Sequence, residues 1–292
     1  MKMPHYDIRL LESPEEMRLI ERLADDIWRG GPLDVVPAHI ILAFVHNGGL
    51  AIGAFQDEEM VGFVFGFPGI SIIGQETRIK LCSHQMGVHP DHRGKDLGFM
   101  LKKAQWQRVR QAGIDQITWT YDPLLSKNAY LNIARLGAVC NTYKRNEYGD
   151  MVDELNAGVA SDRFQIDWWT HTKRVSQRLD EENRTVPGLR NYQQADIQTL
   201  HTPETDSNSG LLRPPSKYTS PSGSLALVEI PTNFQALRET DISLARDWRF
   251  FTRDIFEEGF STGYLVTDFI YDRSQKSPRG FYILTKGEST IS

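Results

Sequence analysis

One stretch of this sequence sets the ingredients of an anion site beside a titratable base. It reads Met86-Gly87-Val88-His89-Pro90-Asp91-His92-Arg93-Gly94-Lys95-Asp96-Leu97-Gly98. Alternating residues up to Val88, a stop at Pro90 and helical spacing from Leu97 onward make it a strand, a loop and a helix. A helix start presents backbone N–H groups with no acceptor four residues back, at the positive end of the dipole, and so suits a phosphate. Glycine lets backbone and ligand approach closely, and Arg93 and Lys95 add positive charge. Taken alone, a basic loop with one glycine is more often an ordinary turn between strand and helix. Upstream, simple alternation puts His84 on the face of Cys82, Met86 and Val88. An imidazole there can accept a proton near neutral pH, although a lone strand histidine is more often a core residue bonded to backbone. Glu76, just ahead of the strand, is a second candidate base, against the commoner role of a solvated loop carboxylate.

The surrounding elements must hold this segment in place. Ser13, Pro14 and Glu16 form a Ser-x-x-Glu capping box, and Met17, Ile20, Leu23, Ala24 and Ile27 follow at helical spacing. A Gly30-Gly31-Pro32 break precedes a second helix over residues 37–45. Residues 50–55 and 60–67 flank Gln56-Asp57-Glu58-Glu59 and read as a β-hairpin, with the strand 78–88 next. A helix over 97–112, a strand over 117–121, a short helix over 127–136 and strands over 138–143 and 163–169 complete this part. On the 97–112 helix, Phe99 and Trp106 point roughly opposite the apolar face of Leu97, Met100, Leu101 and Ala104. Residues 203–224 are rich in Pro, Ser, Thr, Gly and Asn. That shift predicts a first domain over 1–175, a linker over 176–223 and a smaller α+β region over 224–292.

Composition narrows the function. The 292 residues carry 33 Lys+Arg against 38 Asp+Glu, a net charge of −5, so no general cationic field is available for nucleic acid. Hydrophobic residues are 40% of the chain, enough for a folded core. The most apolar stretch, residues 60–74, is broken by Gly62, Gly66, Pro68 and Gly69 and is shorter than the ~20 residues of a spanning helix. Cys82 and Cys140 lie far apart without metal-type neighbours, so a reducing cytoplasmic setting and no metal site are expected. The first residues lack the apolar stretch of a signal peptide. Gly-x-Ser-x-Gly, Gly-Lys-Ser/Thr and His-Glu-x-x-His are all absent from the sequence.

With these elements around it, the 86–98 segment resembles the acyl-CoA pyrophosphate loop of the GNAT superfamily of N-acyltransferases, whose pattern is Arg/Gln-x-x-Gly-x-Gly/Ala. Arg93, Lys95 and Gly98 sit where that pattern puts them, after Met-x-Val and His-Pro, and the order of elements over about residues 6 to 170 agrees. The resemblance implies a mixed α+β fold with a central mixed sheet flanked by helices. It implies acetyl-CoA or another acyl-CoA, succinyl included, as donor, and a primary amine on a small molecule such as an amino acid as acceptor. Arg93, Gly94, Lys95, Asp96, Leu97 and Gly98 would then hold CoA, Met86, Gly87 and Val88 would offer backbone N–H to the reacting carbonyl, and Asn128 would touch the pantetheine arm. Capping the short helix is the commoner role for Asn128 and for Ser126. Two positions depart from the family. Asp96 replaces the central glycine, where a carboxylate could cap the helix. Ile133 stands where many members carry the tyrosine that protonates the departing thiolate, leaving Tyr130, Tyr121, Tyr143 or solvent. These departures keep a second expectation open: a catalytically silent CoA-binding or protein-interaction module. A homodimer is a further expectation.

Overall fold

A computed structural model of the protein describes residues 5–28, 35–149, 158–207, 209–274 and 277–287. The glycine-proline break expected at 30–32 lies outside them. Two compact units emerge, residues 1–119 with 169–171, and residues 120–168 with 172–292.

The first unit begins with β1 (Asp7–Leu10), α1 (Pro14–Trp28) and α2 (Ala38–His46). The capping box of α1 forms as the sequence predicts: the Glu16 N–H donates to Ser13 Oγ at 3.2 Å, and the Ser13 N–H to Glu16 Oε2 at 3.1 Å. Next come β2 (Leu50–Gln56), β3 (Glu59–Ile73) and β4 (Glu76–Val88), a 3-10 turn at Pro90–His92, α3 (Leu97–Gln111), and β5 (Gln116–Tyr121), which leads into the second unit. The strand order is β1-β2-β3-β4-β5. Neighbours are antiparallel except β4 and β5, which are parallel. The β2–β3 hairpin closes through Asp57 and Glu58, both at positive φ (49° and 68°), the backbone of a two-residue type I′ turn. One core cluster joins Met17, Ile20 and Leu23 of α1 and Ile41 of α2 to Phe63 and Phe65. Another joins Val61 and Val64 to Leu97 and Leu101 of α3. The mixed sheet is thus flanked by helices on both faces, the α+β class expected.

Strand β3 runs past Pro68 and Gly69, which the sequence suggests as breaks. Pro68 pairs with Leu81 of β4, while the last β2 partner of β3 is Leu50 opposite Gly66. Beyond Gly66 the other edge of β3 carries no β2 ladder, so the missing proline N–H costs no bond there.

The second unit holds α4 (Ser126–Ala129), which continues as a π-helical turn over Tyr130–Arg135, then β6 (Val139–Lys144) and β7 (Arg163–Trp169). After them come α5 (Lys173–Leu179), α6 (Leu189–Gln194), β8 (Gln198–Thr199) and the small ladder of β9 (Glu204–Thr205) with β10 (Leu212–Arg213). The chain ends with β11 (Leu225–Ile230), α7 (Phe234–Thr240), α8 (Ile242–Ser261), β12 (Tyr264–Asp272) and β13 (Arg279–Lys286). Strands run in the order β7-β6-β12-β13-β11-β8. Residues 176–223 are therefore more than a tether: β8 pairs with β11, and Leu200 and His201 are buried. Ion pairs are buried here too. Arg249 reaches Asp122, Arg253 grips both oxygens of Asp162 at 2.7 and 2.8 Å, and Arg178 meets Asp268 at 2.7 Å. Trp168 is fully buried, and its Nε1 donates to the Leu136 carbonyl at 2.8 Å, which makes it a core residue. No described helix is long and apolar enough to cross a membrane.

Candidate functional site

Among the described residues β4 pairs with β5 at only two positions, Leu81 with Ile117 and Cys82 with Thr118. Past them the two parallel strands part, and β4 continues alone on that side to Val88. A β-bulge falls at this point. Phe65 of β3 opposes Gln85, but the next residue, Gly66, opposes Ser83, so His84 is the extra residue. The bulge corrects the face assigned by simple alternation. His84 lies against the rings of Phe65 and Phe67, at 5.6 and 5.7 Å between centroids, and Phe65 belongs to the core under α1 and α2. Met86 and Val88 pack instead with Leu97 and Met100 of α3. His84 is not a buried core histidine; its residue surface is exposed while neighbouring atoms crowd the ring. The resulting desolvation lowers its pKa below the ordinary histidine value, which keeps the imidazole in its basic form at neutral pH.

Glu76 cannot work with it. It lies inside β4 rather than ahead of it, exposed, with Oε2 2.7 Å from Arg78 Nη2. Eight residues of extended strand put it about 26 Å from His84.

The loop after Val88 is anchored by backbone. The His89 N–H donates to the Val61 carbonyl at 2.9 Å, and the His92 and Arg93 N–H groups close the 3-10 turn onto His89 and Pro90. Tyr6 Oη lies 3.1 Å from His92 Nδ1. Arg93 Nε folds back onto the Val88 carbonyl at 3.2 Å. Gly94 and Asp96 both take left-handed conformations, at φ 76° and 59°. Arg93, Gly94, Lys95 and Asp96 are exposed. The first bond of α3 runs from the Met100 N–H to the Asp96 carbonyl at 3.1 Å, so the Leu97 and Gly98 N–H groups precede the helical ladder. The first turn of α3 carries no acidic residue. Asp96 occupies the N-cap position, yet its carboxylate makes no capping hydrogen bond, which corrects the capping role. A left-handed backbone swings the side chain out of the geometry in which it would reach the N–H groups of the first turn. The set suits a pyrophosphate: peptide N–H groups at a helix start, a curled backbone, and two cationic side chains at its rim.

Helix α3 differs from expectation on its far side. Phe99 is 2% exposed, and Trp106 Nε1 donates to the Thr170 carbonyl at 2.8 Å, so neither aromatic is an incidental surface residue. The sequence reading also missed a buried polar group. Lys102, 2% exposed, places Nζ 2.8 Å from Ser83 Oγ, 3.0 Å from Gln105 Oε1 and 3.6 Å from the centre of the Trp119 ring. Its signal was present, because Lys102 and Gln105 fall between Leu101 and Val109 on the helix side that packs inward.

Asn128 and the three tyrosines belong to the second unit. Asn128 is exposed, and Tyr130, 41% exposed, opens the π-helical turn. Tyr121 and Tyr143 have committed hydroxyls. Tyr121 Oη lies 3.0 Å from Tyr282 Oη, and Tyr143 donates to Asp162 at 2.7 Å. Burial first, then neighbouring anionic groups, push both phenols above their ordinary pKa. Ser126 does not cap α4; its hydroxyl donates to the Thr232 carbonyl at 2.6 Å, and the N-cap residue is Leu125. Ile133 is fully buried.

No family model matches the sequence, and no curated protein matches it. Solved structures similar to it include GNAT-family acetyltransferases. Aminoglycoside 6′-acetyltransferase type Ii is 17% identical, covering 57% of this chain and 99% of its own, with a TM-score of 0.44. A GNAT-family acetyltransferase from Streptococcus pneumoniae is 13% identical over 56% of this chain and 98% of its own, at 0.43. The NatC complex bound to Gag peptide and CoA gives 12%, 56%, 98% and 0.44.

Proposed function

We propose that this protein transfers an acyl group from acyl-CoA to a primary amine, with a small molecule such as an amino acid as acceptor. The observation that carries this reading is the parting of β4 from β5 directly below a basic loop and an open helix start. A groove between parallel strands admits an extended arm, and the helix start takes the anionic end. Each part of the first unit then has a task. The Leu97 and Gly98 N–H groups, with Arg93 and Lys95, hold the pyrophosphate; the left-handed turn at Gly94 and Asp96 lets the backbone approach it. The free edge of β4 between Cys82 and Val88 supplies peptide N–H groups toward the thioester oxygen as charge develops there. His84, kept neutral by desolvation, takes the proton of the incoming ammonium so that the amine can attack. The C–N bond forms as the C–S bond breaks, the nitrogen sheds its second proton to water, and the thiolate takes its proton from water.

Asp96 favours the second reading, a CoA-binding module without turnover, because its carboxylate sits where a pyrophosphate would approach. One experiment separates the two. Thermal shift of the full chain with CoA and acetyl-CoA tests binding, and release of free thiol in the presence of an amine panel tests transfer. Stabilisation without thiol release supports the silent module. No stabilisation by either nucleotide refutes both readings.

A further inference from the structure

Residues 93–111 run against the charge of the chain. A protein with a net charge of −5 places six basic residues there, Arg93, Lys95, Lys102, Lys103, Arg108 and Arg110, against one acidic residue, Asp96. Lys102 is buried, whereas Arg93, Lys95, Arg108 and Arg110 are exposed and Lys103 is half-buried. Lys103 and Arg110 fall seven and fourteen residues after Asp96, a spacing that keeps all three on one side of α3. The cations thus run from the loop proposed for the pyrophosphate to the far end of the helix, about 21 Å on. The Lys103 ammonium lies 5.9 Å from the centre of the Phe99 ring, and the Arg110 guanidinium 5.2 Å from that of Trp106, so aromatic neighbours steady both against the helix. Arg93, Lys95, Arg108 and Arg110 make no ion pair among the described residues.

Free CoA would use only the beginning of this stripe. Its pyrophosphate meets the helix start and its remaining phosphate is on the adjoining ribose, so CoA brings no anion to Arg108 and Arg110. Asp96 weighs against a dense phosphate group, because its exposed carboxylate stands at the helix start where two phosphates would approach. A pantetheine arm attached to a protein brings a single phosphodiester, which Asp96 repels less. Further negative charge then comes from the surface of the protein that bears the arm.

We propose that the outer side of α3 docks an acidic carrier protein, and that the preferred acyl donor is a thioester on that protein's phosphopantetheine arm. The inference rests on the acyl-transfer reading above and names what carries the acyl group. The loop at residues 93–98 takes the phosphodiester, the parting of β4 and β5 takes the arm, and Lys103, Arg108 and Arg110 face carboxylates of the carrier. Complementary charge of this kind speeds encounter and fixes orientation. The bonds made and broken stay those of the thioester and the amine, and the freed thiol remains on the carrier.

The test titrates the full chain calorimetrically with three probes: CoA, a purified acidic acyl carrier protein bearing its phosphopantetheine arm, and the same carrier without the arm. The armed carrier is expected to bind about tenfold or more tighter than CoA at low salt, and to lose that advantage as salt rises. It should also bind tighter than the bare carrier. The double variant Arg108→Glu with Arg110→Glu, at two exposed positions, should weaken the armed carrier about tenfold and leave CoA affinity unchanged. An armed carrier that binds no tighter than CoA overturns the inference and leaves the acyl-CoA reading intact. Equal binding of armed and bare carrier, which is charge attraction alone, overturns it too, as does an unchanged carrier affinity in the double variant. Absence of binding by CoA and armed carrier alike overturns both the inference and the acyl-CoA reading.

Discussion

His201 makes the acid stability of the second unit depend on one imidazole. Its ring is 6% exposed, set edge-on to Phe251 at 4.9 Å and to Trp248 at 6.2 Å. Neither ring nitrogen has a hydrogen bond of normal geometry among the described residues. Desolvation, opposed in part by the backbone of Glu229, brings its pKa down to about 4 from the 6.5 of an exposed histidine. The folded state therefore binds fewer protons than the unfolded state between those values, and stability rises with pH across that window. Above about pH 6.5 the contribution is complete, and as pH falls toward 4 it is lost. A gap of 2.5 between 6.5 and about 4, at ~1.4 kcal/mol per pH unit, gives about 3.5 kcal/mol. Denaturant unfolding of the full chain between about pH 7 and pH 4, followed by tryptophan fluorescence, should register this loss. His201→Phe keeps an aromatic ring among Trp248 and Phe251 and cannot be protonated. The other titrating groups act alike in both proteins, so the difference between the two pH slopes isolates His201. The same slope in wild type and His201→Phe would refute the assignment.

Other expectations concern the first unit. His84→Ala should lower turnover by roughly 10²–10⁴-fold at neutral pH with CoA affinity nearly kept, and the deficit should shrink as alkaline pH deprotonates the amine; near-normal turnover in the folded variant eliminates the base. Asp96→Gly should stabilise the protein by about 0.5–1 kcal/mol, because φ is 59° there, and should tighten CoA binding most at low salt. A Tm that stays level or falls, with unchanged CoA affinity, would count against that account. Ser13→Ala should cost about 1 kcal/mol by opening the capping box of α1, read as a lower denaturation midpoint.

Much of the first unit was legible because its signals are local. The Ser13–Glu16 box, the Asp57-Glu58 hairpin and the strand–loop–helix around Pro90 are each set by residues a few positions apart, and each forms. The loop half of the candidate site shares that property, since Arg93 to Gly98 are consecutive. Elements fixed by distant partners were not legible. Residues 176–223 read as a linker by composition, yet β8 gains a place through Ala226 and Leu227 of β11, more than twenty-five residues on. Pro68 within β3 is permitted by the end of β2, which no rule about proline alone contains. Lys102, Ser83 and Trp119 come from three elements and have no common spacing to betray them.

The face of His84 shows where a local rule fails by a single residue. Counting in twos from Val88 puts His84 beside Met86, and that count is right only in a strand with one partner residue for each of its own. The bulge inserts one more, and everything upstream of it changes sides. What permits the bulge is a residue on the neighbouring strand. A Cβ added at Gly66 would lie 2.5 Å from the Cys82 carbonyl oxygen and 3.1 Å from the Ser83 Cα, so only glycine lets β4 come that close. Gly66 stands in the middle of an apolar run, where it weakens a regular strand and gains nothing from packing. An interior strand glycine is therefore the mark in the sequence of a displaced partner. Read in that way, Gly66 points across the sheet to His84, and the histidine's place among Phe65 and Phe67 follows from a glycine eighteen residues earlier.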